Sequence, residues 1–355
     1  MMNNEPPNTN NRQLIDIKGL SANETCAWVE RLGLESYRAG QIRAWIFRHL
    51  AGSFQDMTNI SKDLRNDLEK AVILNPLRIS KVQISKDGTR KYLFQLKDGY
   101  YIESVLIPET DHDTLCISTQ AGCAMGCKFC LTAKMDLKRN MTPAEIVEQV
   151  IQVKRSMEQP ARLTNVVLMG MGEPLANYEN VKAALNNLIE SDGMGFSKRK
   201  VTLSTCGLIP YMERLGREVR VKLAVSLNAP DDRLRTRLMP INQTYPLKAL
   251  LKTCREYPLP RGDRITFEYI LMSGVNDRDQ DAQNLVKALS GISAKINLIA
   301  LNPHPGSDFS PPPLDRILQF QSILINNHFT AIIRKSRGQD ISAACGQLSG
   351  EQNQT

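Results

Sequence analysis

Thr114-Leu115-Cys116-Ile117-Ser118 is followed within a few residues by Gly122-Cys123-Ala124-Met125-Gly126-Cys127-Lys128-Phe129-Cys130. The first stretch reads as a short strand. The second is a loop opened by glycine that holds three of the chain's eight cysteines, spaced C-x3-C-x2-C. Three thiolates on one tight loop, Cys123, Cys127 and Cys130, can hold three irons of a [4Fe-4S] cluster and leave the fourth open to a small ligand. A closed zinc site takes four ligands, usually as paired C-x2-C units, and the sequence has no second pair. The spacing favours an open iron over a zinc knuckle. A strand running straight into such a loop also points to the fold, because active-site loops gather at the carboxyl ends of parallel strands.

Outward from that point, strands and helices alternate. Thr142-Pro143-Ala144-Glu145 combines an N-cap Thr, a Pro in the first turn and a Glu three residues on, and opens a helix to about 157. Strands then follow over 166–169, 200–204, 221–227, 265–271, 296–301 and 330–334. Helices are expected over 181–189, 247–254, 280–289 and 314–326. Repeated β-α units imply a parallel sheet, open or closed into a barrel, in an α/β protein. The barrel core is expected over 113–337. Upstream, 1–12 reads as a disordered tail, and 13–77 as a small helical module whose arginines alternate with apolar residues. Segment 78–112 reads as a β-hairpin turning at Asp98-Gly99, with Glu103 on its second strand. Residues 338–355 show no period and read as a loop and tail carrying Cys345.

The chain has 355 residues, 42% apolar and 23% charged, which suits a globular protein with a sizeable core. A net charge of +8 favours an acidic partner, nucleic acid being the usual one. The polar start Met1-Met2-Asn3-Asn4-Glu5 lacks the order of a signal peptide, and no apolar run is long enough to span a membrane. A cytoplasmic location with reduced thiols is expected, where cysteines serve metals or catalysis.

The second strand of the core runs into Gly170-Met171-Gly172-Glu173-Pro174-Leu175. Glycines at a strand end let backbone approach a ligand, and Glu173 can receive an ammonium group. With this turn one β-α unit after the cysteine loop, the chain resembles the radical S-adenosylmethionine superfamily. Within it, the chain is similar to the RlmN/Cfr family of RNA adenine methyltransferases. The likeness runs from about 34 to 350. It includes Ser36-Tyr37-Arg38-Ala39-Gly40-Gln41-Ile42, Arg237-Leu238-Met239-Pro240-Ile241-Asn242, Ile296-Asn297-Leu298-Ile299 with Asn302-Pro303, and Ala344-Cys345-Gly346-Gln347-Leu348.

The resemblance implies a partial (β/α) barrel with an RNA-binding helical module in front. It implies one [4Fe-4S] cluster on Cys123, Cys127 and Cys130, and two molecules of S-adenosylmethionine per turnover. Gly172 and Glu173 match the contact to the methionine amino group. Ser204, Ser226-Leu227-Asn228 and Asn302 match positions that hold the rest of the cofactor; Asn228 stands where some members carry His. Cys345 matches the cysteine that is methylated first, Cys116 its partner in a disulfide that releases product, and Glu103 the proton acceptor. The implied substrates are an adenosine of 23S rRNA, methylated at C2, and the adenosine 3′ of the anticodon in tRNA. A flavodoxin or ferredoxin reductant, a monomeric state and no membrane complete the expectation. The rivals are C8 methylation of the same rRNA base and a non-catalytic iron–sulfur RNA-binding protein. Basic clusters at Lys134/Lys138/Arg139, Lys198/Arg199/Lys200 and Arg233/Arg235/Arg237 are expected to rim the RNA site. Cys26, Cys206 and Cys254 read as small buried fillers.

Overall fold

The computed structural model describes residues 14–350, so the tail expected over 1–12 lies outside the described residues. The chain opens with β1 (Ile15–Asp16), α1 (Ala22–Arg31), α2 (Tyr37–Phe47), α3 (Lys62–Ala71) and β2 (Val72–Ile73), and β1 pairs in parallel with β2. Ser21 caps α1 by accepting from the Glu24 N–H while Glu24 accepts from the Ser21 N–H. Ser61 caps α3 through the Leu64 N–H. In α2 the spacing expected of a core face is realised by buried Ile42, Ile46 and Phe47.

The segment expected as a hairpin is a three-stranded antiparallel meander: β3 (Arg78–Ile84), β4 (Arg90–Gln95) and β5 (Tyr101–Pro108). It extends the core sheet. Its last strand pairs antiparallel with β6 (Asp113–Cys116), the first strand of the core. After β6 come the short pair β7 (Gln120–Ala121) and β8 (Arg139–Asn140), then α4 (Pro143–Ser156) and β9 (Leu163–Leu168). The alternation continues with α5 (Tyr178–Ile189), β10 (Val201–Thr205), α6 (Ile209–Glu218), β11 (Lys222–Ser226), α7 (Asp232–Leu238) and α8 (Leu247–Glu256). It ends with β12 (Ile265–Leu271), α9 (Asp279–Leu289), β13 (Ala294–Ala300), α10 (Leu314–Asn326) and β14 (Thr330–Arg334).

One sheet of ten strands runs β14-β13-β12-β11-β10-β9-β6-β5-β4-β3. From β6 to β14 every pairing is parallel and neighbours follow chain order, so the sheet winds in one sense. Its edges, β3 and β14, do not pair, and the barrel stays partial. Helices α6 and α7 were not expected. α6 starts with Pro210 in its first turn, where the missing N–H costs nothing. Among the described residues no helix is long and apolar enough to cross a membrane.

Buried polar groups weld the amino-terminal module to the barrel. Lys18 and Glu148 on α4 form an ion pair in which neither side chain is exposed. Burial lowers the lysine pKa and raises that of the glutamate, and each opposes the other's shift. Arg43, 2% exposed, donates to the Leu20 carbonyl at 2.9 Å and to Asn187 Oδ1 on α5 at 3.0 Å. This arginine is spent on docking rather than on phosphate.

Removing one member of such a pair strands the other in a dry interior. Glu148→Ala is expected to cost about 3–5 kcal/mol, read as a lower urea midpoint. Replacing both members with Met should recover most of that loss.

Candidate active site

At the carboxyl ends of β9 to β13 lies a cavity of about 830 Å³, counted with its open mouth. Cys123, Cys127 and Cys130 line it together with Glu173, Ser204 and Cys345. The cysteine loop takes its shape from glycine: Gly122 has φ +81°, and a Cβ there would lie 2.2 Å from the Asp136 carbonyl oxygen. The Lys128 N–H donates to the Leu238 carbonyl at 2.9 Å and anchors the loop between its second and third cysteines.

The donor set fits an iron–sulfur cluster. Burial pushes the Cys123 thiol up to about 12, and burial with neighbouring sulfur raises Cys127. Burial also raises Cys130. Without a cation these groups stay neutral thiols, and iron supplies the charge that makes them thiolates. Among the described residues no three His, Cys, Asp or Glu side chains converge on a single ion; cluster thiolates instead each bind an iron of their own.

Glu173 is buried beside them, and burial raises its pKa. Its carboxylate accepts from the Leu175 N–H at 3.0 Å and the Cys206 N–H at 2.8 Å. It has no ion-pair partner among the described residues. This leaves a buried carboxyl group without a cation, suited to receive a ligand's ammonium group. Gly172 has φ +98°, and a Cβ there would lie 2.5 Å from Gln120 Cβ. Close packing against Gln120 thus demands the glycine even before a ligand arrives.

The other expected cofactor positions divide. Ser204 and Ser226 line the cavity with free approach. Asn228 also lines it, yet at φ +58° its side chain is a strut: Oδ1 accepts from the Ile270 N–H at 2.8 Å, and Nδ2 donates to Met239 Sδ at 3.3 Å. Leu227 is fully buried, outside the lining, and its N–H donates to the Glu268 carbonyl at 3.0 Å. Asn302 also lies outside the lining. It clamps the tail instead, donating to the Cys345 carbonyl at 3.2 Å and accepting from Gln339 Nε2 at 2.8 Å.

Over its described residues, 338–350, that tail is held by hydrogen bonds to the rest of the fold. The Leu131 N–H donates to the Gly346 carbonyl at 2.8 Å, Thr132 Oγ1 to the Leu348 carbonyl at 2.6 Å, and Gln347 Nε2 to the Pro303 carbonyl at 2.7 Å. Together they hold Cys345 at the cavity, where its exposed surface is the cavity wall. Desolvation pushes its thiol up to about 11. Cys116 is buried on β6 outside the cavity lining, and burial first, then Cys345, raises its pKa. Both are free thiols. Glu103 is 2% exposed and fully engaged: Lys91 Nζ at 3.0 Å on one oxygen, the Ser349 and Gly350 N–H groups at 2.8 and 3.2 Å on the other.

A curated relative from Geobacter sulfurreducens, a dual-specificity RNA methyltransferase RlmN, is 55% identical over 95% of this chain and 93% of its own length. The chain belongs to the RlmN family. A second relative of the same name from Desulfosudis oleivorans is 53% identical over 95% of this chain and 91% of its own. The crystal structure of a radical SAM methyltransferase from Sphaerobacter thermophilus superposes with a TM-score of 0.92 at 45% identity, covering 95% of this chain and all of that one. Family models for the radical SAM superfamily and for a ribosomal RNA large subunit methyltransferase N-terminal domain match residues 117–286 and 15–74. RlmN-family proteins use a [4Fe-4S] cluster and S-adenosylmethionine, and the thiol loop and Glu173 suit both.

Two lining residues of this RlmN-family site escaped the sequence reading. Cys206 is buried in the core as expected, and it also lines the cavity, its backbone N–H donating to Glu173. Glu268 lines the cavity from mid-β12, its pKa raised by burial and its carboxylate accepting from Asn297 Nδ2 at 2.9 Å. A lone glutamate in Ile265-Thr266-Phe267-Glu268-Tyr269-Ile270-Leu271 was the available signal. The expected basic rim is also redistributed. Arg235 is fully buried, donating to Asn242 Oδ1 at 2.9 Å and the Cys206 carbonyl at 2.7 Å. Arg139 is paired with Asp98 and Glu145. Lys198, Arg199 and Lys200 precede β10 and so lie at the opposite end of the sheet from the cysteine loop.

Gly172→Ala is expected to cost on the order of 1–3 kcal/mol, because the strained φ and the Gln120 clash act together. Titration calorimetry on iron-reconstituted protein should show weaker S-adenosylmethionine binding with the fold retained by circular dichroism.

Proposed function

We propose that this protein methylates C2 of an adenosine in the peptidyl-transferase region of 23S rRNA, and the adenosine 3′ of the anticodon in tRNA. The observation that carries the reading is Cys345, held by its tail at the wall of the cavity that Cys123, Cys127 and Cys130 also line. An sp2 ring carbon is neither acidic nor nucleophilic, so ordinary displacement does not reach it. When bound, the cluster and S-adenosylmethionine supply the methyl groups and the one-electron chemistry that forms the 5′-deoxyadenosyl radical.

The chain's own residues do the rest. Cys123, Cys127 and Cys130 hold the cluster. Gly172 and Glu173 receive the methionine amino group, and Ser204, Ser226, Leu227, Asn228 and Asn302 shape the remainder of the cofactor site. Leu227, Asn228 and Asn302 do so through the strut and clamp described above. Cys345 accepts a methyl group on sulfur and carries it to the ring. Cys116 attacks that sulfur and frees the product by forming a disulfide. Glu103 takes the ring proton; its two oxygens are engaged by Lys91 and the tail, so this step follows withdrawal of Ser349 and Gly350. The target base must leave its stack to reach the cavity. An electron donor of the flavodoxin or ferredoxin class, a monomeric state and a cytoplasmic setting fit this chemistry.

Mass and NMR analysis of RNA nucleosides after reaction should give 2-methyladenosine; 8-methyladenosine would overturn the regiochemistry. Cys345→Ala is expected to leave no methylation above background. Cys116→Ala should trap a covalent protein–RNA adduct, seen as a slow band on a denaturing gel, and freely dissociating product would remove Cys116 from this role.

A further inference from the structure

The sheet has a second concavity, at its other end. A pocket of about 730 Å³, counted with its mouth, lies beneath the starts of β10, β11 and β12. Five basic residues line it, Lys198, Arg199, Arg220, Lys222 and Arg264, against one acid, Asp263. Buried Val219, Leu223 and Tyr257 contribute apolar lining. In barrels of this kind the amino-terminal end of the strands ordinarily serves stability, and a stabilising arrangement would pair these charges. It does not. Among the described residues, Lys198, Arg199, Arg220 and Lys222 form no ion pair or side-chain hydrogen bond. Arg264 donates only to Thr330 Oγ1, at 2.8 Å. Glu190 feels the charge of Lys198 without pairing to it. Lys295, one strand beyond Arg264, is held below the usual lysine range by burial first and then by Lys222, with Arg264 adding to the effect. The foot of the barrel is a positive field with a shaped hollow in it.

We propose that this pocket is a phosphate-binding site, distinct from the cavity where the cysteines meet. Like charges gathered on one concave surface raise the free energy of the empty pocket, and a phosphate's several acceptor oxygens relieve it. The phosphate belongs either to the RNA backbone, well away from the reacting nucleotide, or to a free phosphate compound. The five-residue strand β11 separates the two sites by roughly 15 Å. A backbone phosphate in the pocket therefore comes from a part of the RNA beyond the nucleotides that enter the cavity. The RNA version rests on the methyltransferase reading above; the free-phosphate version does not.

The test uses the reconstituted full chain and the double variant Lys198→Glu/Arg220→Glu, whose two side chains are exposed. Thermal melting confirms the fold. Three quantities are measured for each protein: the Kd of full-length tRNA across salt concentrations, methylation of a short hairpin that carries only the target adenosine, and pyrophosphate binding by calorimetry. If RNA backbone fills the pocket, the variant binds tRNA at least about tenfold more weakly and its log–log salt slope falls by about two. Hairpin methylation stays as in the native protein. If a free phosphate fills it, pyrophosphate binds the native protein and not the variant, while tRNA affinity holds. Equal tRNA affinity together with equal or absent pyrophosphate binding overturns the proposal. Failure of the native protein to methylate any RNA instead overturns the functional reading, so the two failures are told apart.

Discussion

Around the main cavity the fold buries thiols and carboxylates and, among the described residues, gives them no ion-paired cation. Cys123, Cys127, Cys130, Cys206, Glu173 and Glu268 all line one hollow, and burial raises every one of their pKa values. Taking so many potential anions out of water is costly unless positive charge arrives. The [4Fe-4S] cluster and ammonium-bearing S-adenosylmethionine that RlmN-family proteins use would bring such charge. Much of the surrounding architecture holds this hollow open against collapse. Asn228 is forced into a left-handed conformation to brace β11 against β12, and buried Arg235 ties α7 to the Cys206 turn.

The sheet extension matters for the same reason. Adding β3, β4 and β5 antiparallel to the edge at β6 covers that edge, which would otherwise invite pairing with other chains. It also places Glu103 and Lys91, on adjacent strands, beneath the carboxyl-terminal loop. The tail is then fixed from two directions: by the meander through Glu103, and by the barrel through Asn302, Leu131 and Thr132. Cys345 is positioned by Asn302, 43 residues away, and by a tail anchored to segments more than two hundred residues away in the chain.

That distance explains what the sequence could and could not disclose. That the three loop cysteines meet in one cavity was legible because they are neighbours in the chain and on a single glycine-shaped loop. The parallel sheet was legible because apolar runs alternated with capped helices, Thr142 being a clear start. The tail read as a loop without a period, and its described part is a loop, held by hydrogen bonds to remote backbone that leave no periodic trace. Arg235 looked like one of three surface arginines; only the packing of α7 on the Cys206 turn shows that it points inward. Asn302 and Leu227 stood at the right places for cofactor contact, but the structure uses them one layer further out. Glu103 looked like a free carboxylate on a strand, and its engagement with the tail was invisible without the fold.

The Lys18–Glu148 pair sets a limit on how this molecule can meet its RNA. A module attached through exposed polar contacts could swivel to suit a substrate. Here any swivel would drag an unpaired charge through a dry interior, so module and barrel present one fixed outline. Accommodation between module and barrel then falls on the nucleic acid: the RNA must bend, open its stack and carry its adenosine to two bodies that do not turn against each other.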